Sequence, residues 1–142
     1  MNKIKVFAKI VLVLASILLF GGCSASPTTS SVPQASKIGV TEAYAMIQQN
    51  ETNSDFVILD VRTPAEFAAG HIENAILVDY EAPSFRSEVN KLDKSKTYLV
   101  YCRTARRSGE AVVIMQELGF QRLYDMSGGI VEWNNAGYPV IK

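Results

Sequence analysis

Two short runs constrain this chain more than anything else in it: Phe56-Val57-Ile58-Leu59 and Tyr98-Leu99-Val100-Tyr101. Each is β-prone, of strand length and free of polar alternation, the pattern of a strand covered on both faces in a parallel sheet. Each stops at a residue of different chemistry, Asp60 after the first and Cys102 after the second. Ligands of open parallel sheets bind outside the carboxyl ends of the strands, so Asp60 and Cys102 are expected on one rim.

The rest of the pattern alternates around these runs. Ile38–Val40 reads as a short strand, followed by a helix capped by Thr41 and carrying Ala43, Tyr44, Met46 and Ile47. Pro64 opens a short helix through Ala69, which Gly70 closes. Ala75–Val78 forms a further strand, and Ser84–Leu92 is weakly helical. Glu110–Leu118 is an amphipathic helix ended by Gly119, Arg122–Tyr124 a last strand, and Ile130–Asn135 a last helix holding Trp133. Such alternation predicts an α/β domain with about five mostly parallel strands, helices on both faces and right-handed crossovers.

Arg103, Arg106 and Arg107 follow Cys102 closely, and helical periodicity begins just beyond them. A strand–loop–helix passage points backbone N–H groups and the positive end of the helix dipole at an anion. Thiols in exposed, electropositive settings of this kind are nucleophilic. Cys102 is therefore the expected nucleophile, and Arg103, Thr104, Ala105, Arg106, Arg107 and Ser108 the expected substrate-binding loop. Asp60 and Arg62 are expected as supporting residues, with a turn cap or a mutual ion pair as the structural reading of Asp60. His71, directly after Gly70, suits a local structural hydrogen bond better than a general base.

Lys3, Lys5 and Lys9 precede eleven uncharged residues, Ile10 to Phe20, a run that has the form of a secretory leader and is too short to span a membrane. Leu19-Phe20-Gly21-Gly22-Cys23 resembles a bacterial lipobox. The expectation is a signal peptide over 1–22, a lipid on Cys23, a Ser/Thr/Pro tether over 23–36 and a folded domain over 37–142. That describes an extracytoplasmic, membrane-anchored lipoprotein, with cleavage near Ala25 or Ser26 and a soluble secreted form as the alternative. Losing the leader removes three lysines and leaves 11 cations against 14 anions, a formal charge of −3. No nucleic-acid partner is expected, because a broad nucleic-acid surface needs a basic excess. With Cys23 lipidated, Cys102 is the sole free thiol, which excludes a Cys-x-x-Cys dithiol mechanism. One His and one free Cys supply no ordinary zinc site, so neither metal nor cofactor is expected.

The stretch Leu59-Asp60-Val61-Arg62-Thr63-Pro64-Ala65-Glu66-Phe67, followed by Gly70-His71-Ile72, resembles the opening motif of rhodanese domains. Cys102 to Ser108 resembles their active-site loop, and Gly128-Gly129-Ile130 with Trp133 their closing segment. The resemblance covers Lys37 to Lys142. It implies a small parallel α/β fold whose loop cysteine takes a sulfane sulfur as a persulfide and hands it to a thiophilic acceptor, by double displacement. It also implies a small sulfur anion as donor, thiosulfate or a persulfide or polysulfide, with the loop arginines holding the charge. Three positions depart from the family pattern: Ala105 and Asn74 stand where Gly is common, and Asp79 where Pro is often found. A positive φ at Ala105 would cost about 1 kcal/mol, and the other two changes alter the pocket wall. The rival readings are a membrane-tethered persulfide carrier or interaction module without turnover, and a cysteine phosphatase or arsenate reductase. Phosphatases place five residues between Cys and Arg; here the sixth residue after Cys102 is Ser108, and Arg107 comes one earlier. No protein partner is named by the sequence.

Overall fold

The computed structural model describes residues 35–142; the leader, Cys23 and the tether up to residue 34 lie outside the described residues. Its centre is strand β4 (Thr97–Tyr101), paired on one side with β2 (Phe56–Asp60) and on the other with β5 (Arg122–Met126). The edges are β1 (Ser36–Ile38) beside β5 and the two-residue β3 (Ile76–Leu77) beside β2. All four pairings are parallel, in the order β1-β5-β4-β2-β3.

Helices cover both faces, which is why the two central strands show no polar alternation. Tyr98, Val100 and Cys102 point to a core shared with α3 (Phe85–Val89) and α4 (Arg106–Glu117), where Phe85, Val89, Ala111, Val112 and Met115 pack. Leu99 and Tyr101 point the other way, to Ala43 on α1 (Val40–Gln49) and to Ile130 and Trp133 on α5 (Gly129–Asn135). The remaining helix, α2 (Pro64–Ala69), follows β2.

Several boundaries differ from the sequence expectation. Ser36, placed in the tether on composition, is the first residue of β1 and sits opposite Tyr124. Helix α1 begins at Val40 with Gly39 as its cap, because the Ala43 N–H closes on the Gly39 carbonyl (2.9 Å). Thr41 instead accepts a hydrogen bond from the Tyr138 hydroxyl (3.3 Å). Helix α4 starts at Arg106, four residues before the predicted Glu110, since its first turn is polar and carries no apolar stripe. Strand β5 runs on to Met126, past Asp125, a buried carboxylate that breaks the apolar pattern while leaving the backbone pairing intact.

One close approach joins the ends of β4 and β5. The N–H groups of Ile130 and Val131, in the first turn of α5, donate to the carbonyls of Cys102 (2.9 Å) and Arg103 (3.2 Å). Gly129 permits this contact: at φ +57, an added Cβ would lie 2.5 Å from both carbonyl oxygens. The Gly128-Gly129 pair thereby fixes the carbonyl side of the cysteine loop.

Candidate active site

Cys102 lies directly beyond β4, and its residue is 1% exposed, where the sequence reading expected an exposed thiol. The thiol stays a free cysteine but sits at the bottom of a cavity of about 360 Å³. Glu66, Glu81, Arg103, Thr104, Arg106 and Arg107 complete the lining. Burial follows from strand register, since position 102 continues the Tyr98 and Val100 face into the α4 core.

The loop turns sharply from strand to helix at Ala105, which holds φ 75 and ψ 1 as the N-cap of α4. This is the left-handed region, so the strain foreseen for Ala at this position is present in the fold. Asn74, the other non-glycine residue with positive φ among the described residues, holds φ 62, a conformation Asn tolerates better than Ala. Among the described residues, the backbone N–H groups from Arg103 to Ser108 have no hydrogen-bond acceptor. An unpaired run of this kind at the start of a twelve-residue helix forms a cradle for an anion.

The three arginines have three different fates. Arg107 is nearly buried and forks onto Glu66, with Nη2 on Oε1 at 2.7 Å and Nη1 on Oε2 at 2.8 Å. Its Nη1 also leans toward Glu81 at 3.4 Å. The Glu66 hydrogen bonds hold its guanidinium charged well above the ordinary value against the pull of burial, with further support from the charges of Glu66, Cys102 and Glu81. Reciprocally, Arg107 holds the Glu66 carboxyl down at about 2. Arg106 is exposed and pairs along the helix with Glu110 at 3.2 Å, a contact of small energetic weight. Arg103 is exposed and enters no ion pair among the described residues.

Ser108 does not reach the cavity. Its hydroxyl is buried under α4 beside Asp125, and neither it nor either Asp125 oxygen has a hydrogen-bond partner among the described residues. Burial raises the Asp125 carboxyl pKa, an effect that neighbouring Ser108 and Lys37 lessen. Ala105 lines a separate groove with Lys37 and Asp125 on the far side of the loop.

Asp60 and Arg62 do not line the cavity either. Asp60 pairs opposite Tyr101, one residue out of phase with Cys102, and so belongs to the other face of the sheet. Its carboxylate grips Arg62 (Nη2 to Oδ2, 2.6 Å; Nε to both oxygens at 3.0 and 2.9 Å), while Arg62 Nη2 also donates to the Gly70 carbonyl at 2.8 Å. Burial works against the Arg62 charge, but the Asp60 contacts prevail and raise its pKa. The guanidinium carbon lies 5.5 Å above the centre of the Tyr101 ring, a cation–π arrangement. His71 is likewise structural: Nδ1 meets the Phe67 carbonyl at 3.0 Å, the ring stacks on Phe67, and its backbone bridges to Ile141.

Sequence reasoning missed Glu66 and Glu81 as cavity residues. A signal for Glu66 was present, because Thr63-Pro64-Ala65-Glu66 is a capping box: the Glu66 N–H bonds Thr63 Oγ1 and the Glu66 carboxylate accepts from the Thr63 N–H. For Glu81 the only local cue is Asp79, whose Oδ1 accepts the Glu81 N–H at 2.9 Å in a tight turn.

A model of the rhodanese-like domain matches residues 39–136. The chain belongs to the rhodanese-like domain family. A sulfurtransferase of Allochromatium vinosum is 28% identical over 100 residues, which cover 70% of this chain and 92% of that protein. An uncharacterized protein of Synechocystis is 31% identical over 110 residues, 76% of this chain and 59% of the relative's length. Among solved structures, a rhodanese-related protein from Thermoplasma volcanium superposes with a TM-score of 0.64 at 31% identity, over 75% of this chain and 97% of the other. The five-stranded parallel sheet with helices on both faces is thus the rhodanese-like fold, and the family includes enzymes of the sulfurtransferase type.

Proposed function

We propose that this rhodanese-like protein is a sulfurtransferase that carries sulfane sulfur as a persulfide on Cys102. The observation that supports this reading most directly is the placement of a free thiol in a cavity, at the start of a loop whose backbone N–H groups are unpaired among the described residues. A persulfide is anionic, and preorganised N–H donors stabilise it without reorganisation at the moment of transfer. With thiosulfate as donor, the Cys102 thiolate attacks the outer sulfur, the S–S bond breaks with its electron pair going to sulfite, and Cys102 holds a persulfide. An acceptor such as cyanide or a thiolate then attacks the terminal sulfur and releases the Cys102 thiolate, giving double-displacement kinetics. The Arg107 guanidinium, which lines the same cavity as Cys102 and is held by Glu66, supplies positive charge through both steps.

The N-terminal pattern adds an address. A lipid on Cys23 would anchor the domain on the outer side of a bacterial membrane, with the intervening Ser/Thr/Pro tether as spacer. Cys23→Ala should then move the protein from the membrane fraction to the soluble one, and unchanged fractionation would refute the anchor.

The sulfur reading is tested on the purified full chain, reduced and incubated with thiosulfate or polysulfide. Intact mass should rise by one sulfur located on Cys102, and Cys102→Ser should gain none. Absence of any gain with every sulfane donor would overturn the proposal. Sustained thiocyanate production on adding cyanide identifies a catalyst, and a single stoichiometric transfer a carrier.

A further inference from the structure

The charges around the cavity are not simply positive. Arg107 and Glu66 neutralise each other through a bidentate pair, and Arg106 is paired with Glu110. Among the described residues, two lining charges lack a close partner: Arg103, which enters no ion pair, and Glu81, whose side chain is 55% exposed and reaches only, at 3.4 Å, an Arg107 already held by Glu66. Among the described residues, the mouth over Cys102 therefore presents one unpaired cation, Arg103, and one exposed carboxylate, Glu81, whose only ionic contact is the long one to Arg107 at 3.4 Å. The turn that holds Glu81 there is built by Asp79: Asp79 Oδ1 accepts the Glu81 N–H, and the Asp79 carbonyl accepts the Ala82 N–H at 3.3 Å.

Resting on the sulfurtransferase reading above, the geometry points to Glu81 as a specificity residue that selects a zwitterionic amino-thiol persulfide over thiosulfate as sulfur donor. Such a donor offers a carboxylate to Arg103 and an ammonium to Glu81 while its terminal sulfur descends to Cys102. The step is balanced: the Cys102 thiolate attacks the terminal sulfur of R–S–SH, the donor S–S bond breaks, the donor leaves as R–S⁻, and Cys102 becomes Cys–S–SH. Thiosulfate carries two negative charges and no cation, so it meets Glu81 with repulsion twice that felt by a monoanion. A cavity of about 360 Å³ accommodates an amino acid of this size.

The test measures the rate of sulfur loading on Cys102 of the full chain by rapid quench and intact mass, with three donors: cysteine persulfide, N-acetylcysteine persulfide, which lacks the ammonium, and thiosulfate. Glu81→Gln should lower the ratio of cysteine persulfide to N-acetylcysteine persulfide rates by about three- to fivefold, the reach of one exposed ion pair. The same variant should raise thiosulfate loading on the order of tenfold, as befits a dianion. In the unsubstituted chain, raising salt should shrink both preferences together. Rate ratios unmoved by Glu81→Gln and by salt would overturn the assignment of Glu81 while leaving persulfide chemistry intact. Loading by none of the three donors would overturn the sulfurtransferase reading and the donor preference with it.

Discussion

The domain contains two arginine–carboxylate pairs built from the same chemistry and used in opposite ways. Arg62 and Asp60 close the carboxyl end of β2 on the α1 and α5 face, with side chains 5% and 0% exposed. Arg107 and Glu66 join α4 to α2 on the cavity side, 9% and 28% exposed. The first pair has every neighbour supplied by the protein: the Tyr101 ring, the Gly70 carbonyl and one carboxylate. The second opens onto the thiol and leaves a guanidinium edge facing Glu81 and the space above Cys102. Burial converts an ion pair into a structural clamp; partial exposure beside the Cys102 thiol sets the same kind of pair into the wall of a cavity.

That contrast can be broken, and the largest effect is expected in the buried pair. Asp60→Ala leaves the buried Arg62 charge without its carboxylate, with only the Gly70 carbonyl and the Tyr101 ring beside it, which costs about 3 kcal/mol or more. Urea melts should show the loss, while Cys102 sulfur loading per folded molecule stays within about twofold. A stability change under 1 kcal/mol would mean that water reaches Arg62. Arg107→Ala should cost roughly 1–2 kcal/mol, because Glu66 keeps Thr63 and some solvent, and should slow sulfur loading by on the order of tenfold or more. If this substitution disturbs stability alone, Arg107 is a clamp like Arg62 and the comparison collapses.

The acid limb of stability sharpens the contrast further. Glu66 titrates at about 2 in the folded protein, below its ordinary 4.5. A depressed carboxyl contributes stability that is fully present above the unfolded value and is lost as pH falls through the folded one. Stability should therefore decline between about pH 4.5 and 2. Denaturation across that window should show a flatter slope in Glu66→Gln, and an identical slope would remove Glu66 as a contributor. Arg103→Ala is expected to leave stability within about 0.5 kcal/mol and to raise the thiosulfate concentration needed for half-maximal rate, as for a solvent-facing charge. Smallest of all, Ala105→Gly should stabilise by about 0.5 kcal/mol, the relief of left-handed strain outweighing the added freedom of the unfolded chain. Destabilisation there would show that the Ala105 methyl packs productively against the loop.

Local pattern carried much of this protein. The apolar runs at Phe56–Leu59 and Tyr98–Tyr101 mark buried parallel strands because both faces of each must be covered, and Pro64 with Gly70 marks a short helix because those residues suit its two ends. Cys102 is marked by the abrupt change from strand to arginine-rich loop. The positive φ of Ala105 was foreseeable from the family pattern at a tight turn. Less legible were elements whose signal is polar: the first turn of α4, hidden by Arg106, Arg107 and Ser108, and the end of β5, hidden by Asp125.

What no local pattern contains is which charge meets which. Arg107 and Glu66 stand 41 positions apart, and Arg107 and Glu81 stand 26 apart. Their contacts exist because α2, the turn after β3 and α4 converge over the ends of neighbouring strands. The alternation of a strand's side chains likewise assigned Asp60, the last residue of β2, to the face opposite Cys102, although both stand at strand carboxyl ends. The sequence by itself determined the layered parallel sheet and the position of the thiol, since both depend on residues adjacent in the chain. The tertiary structure alone decided that Arg107 is held by Glu66, and that the Glu81 carboxylate lines the same cavity, because Coulombic partners are set by distance in space.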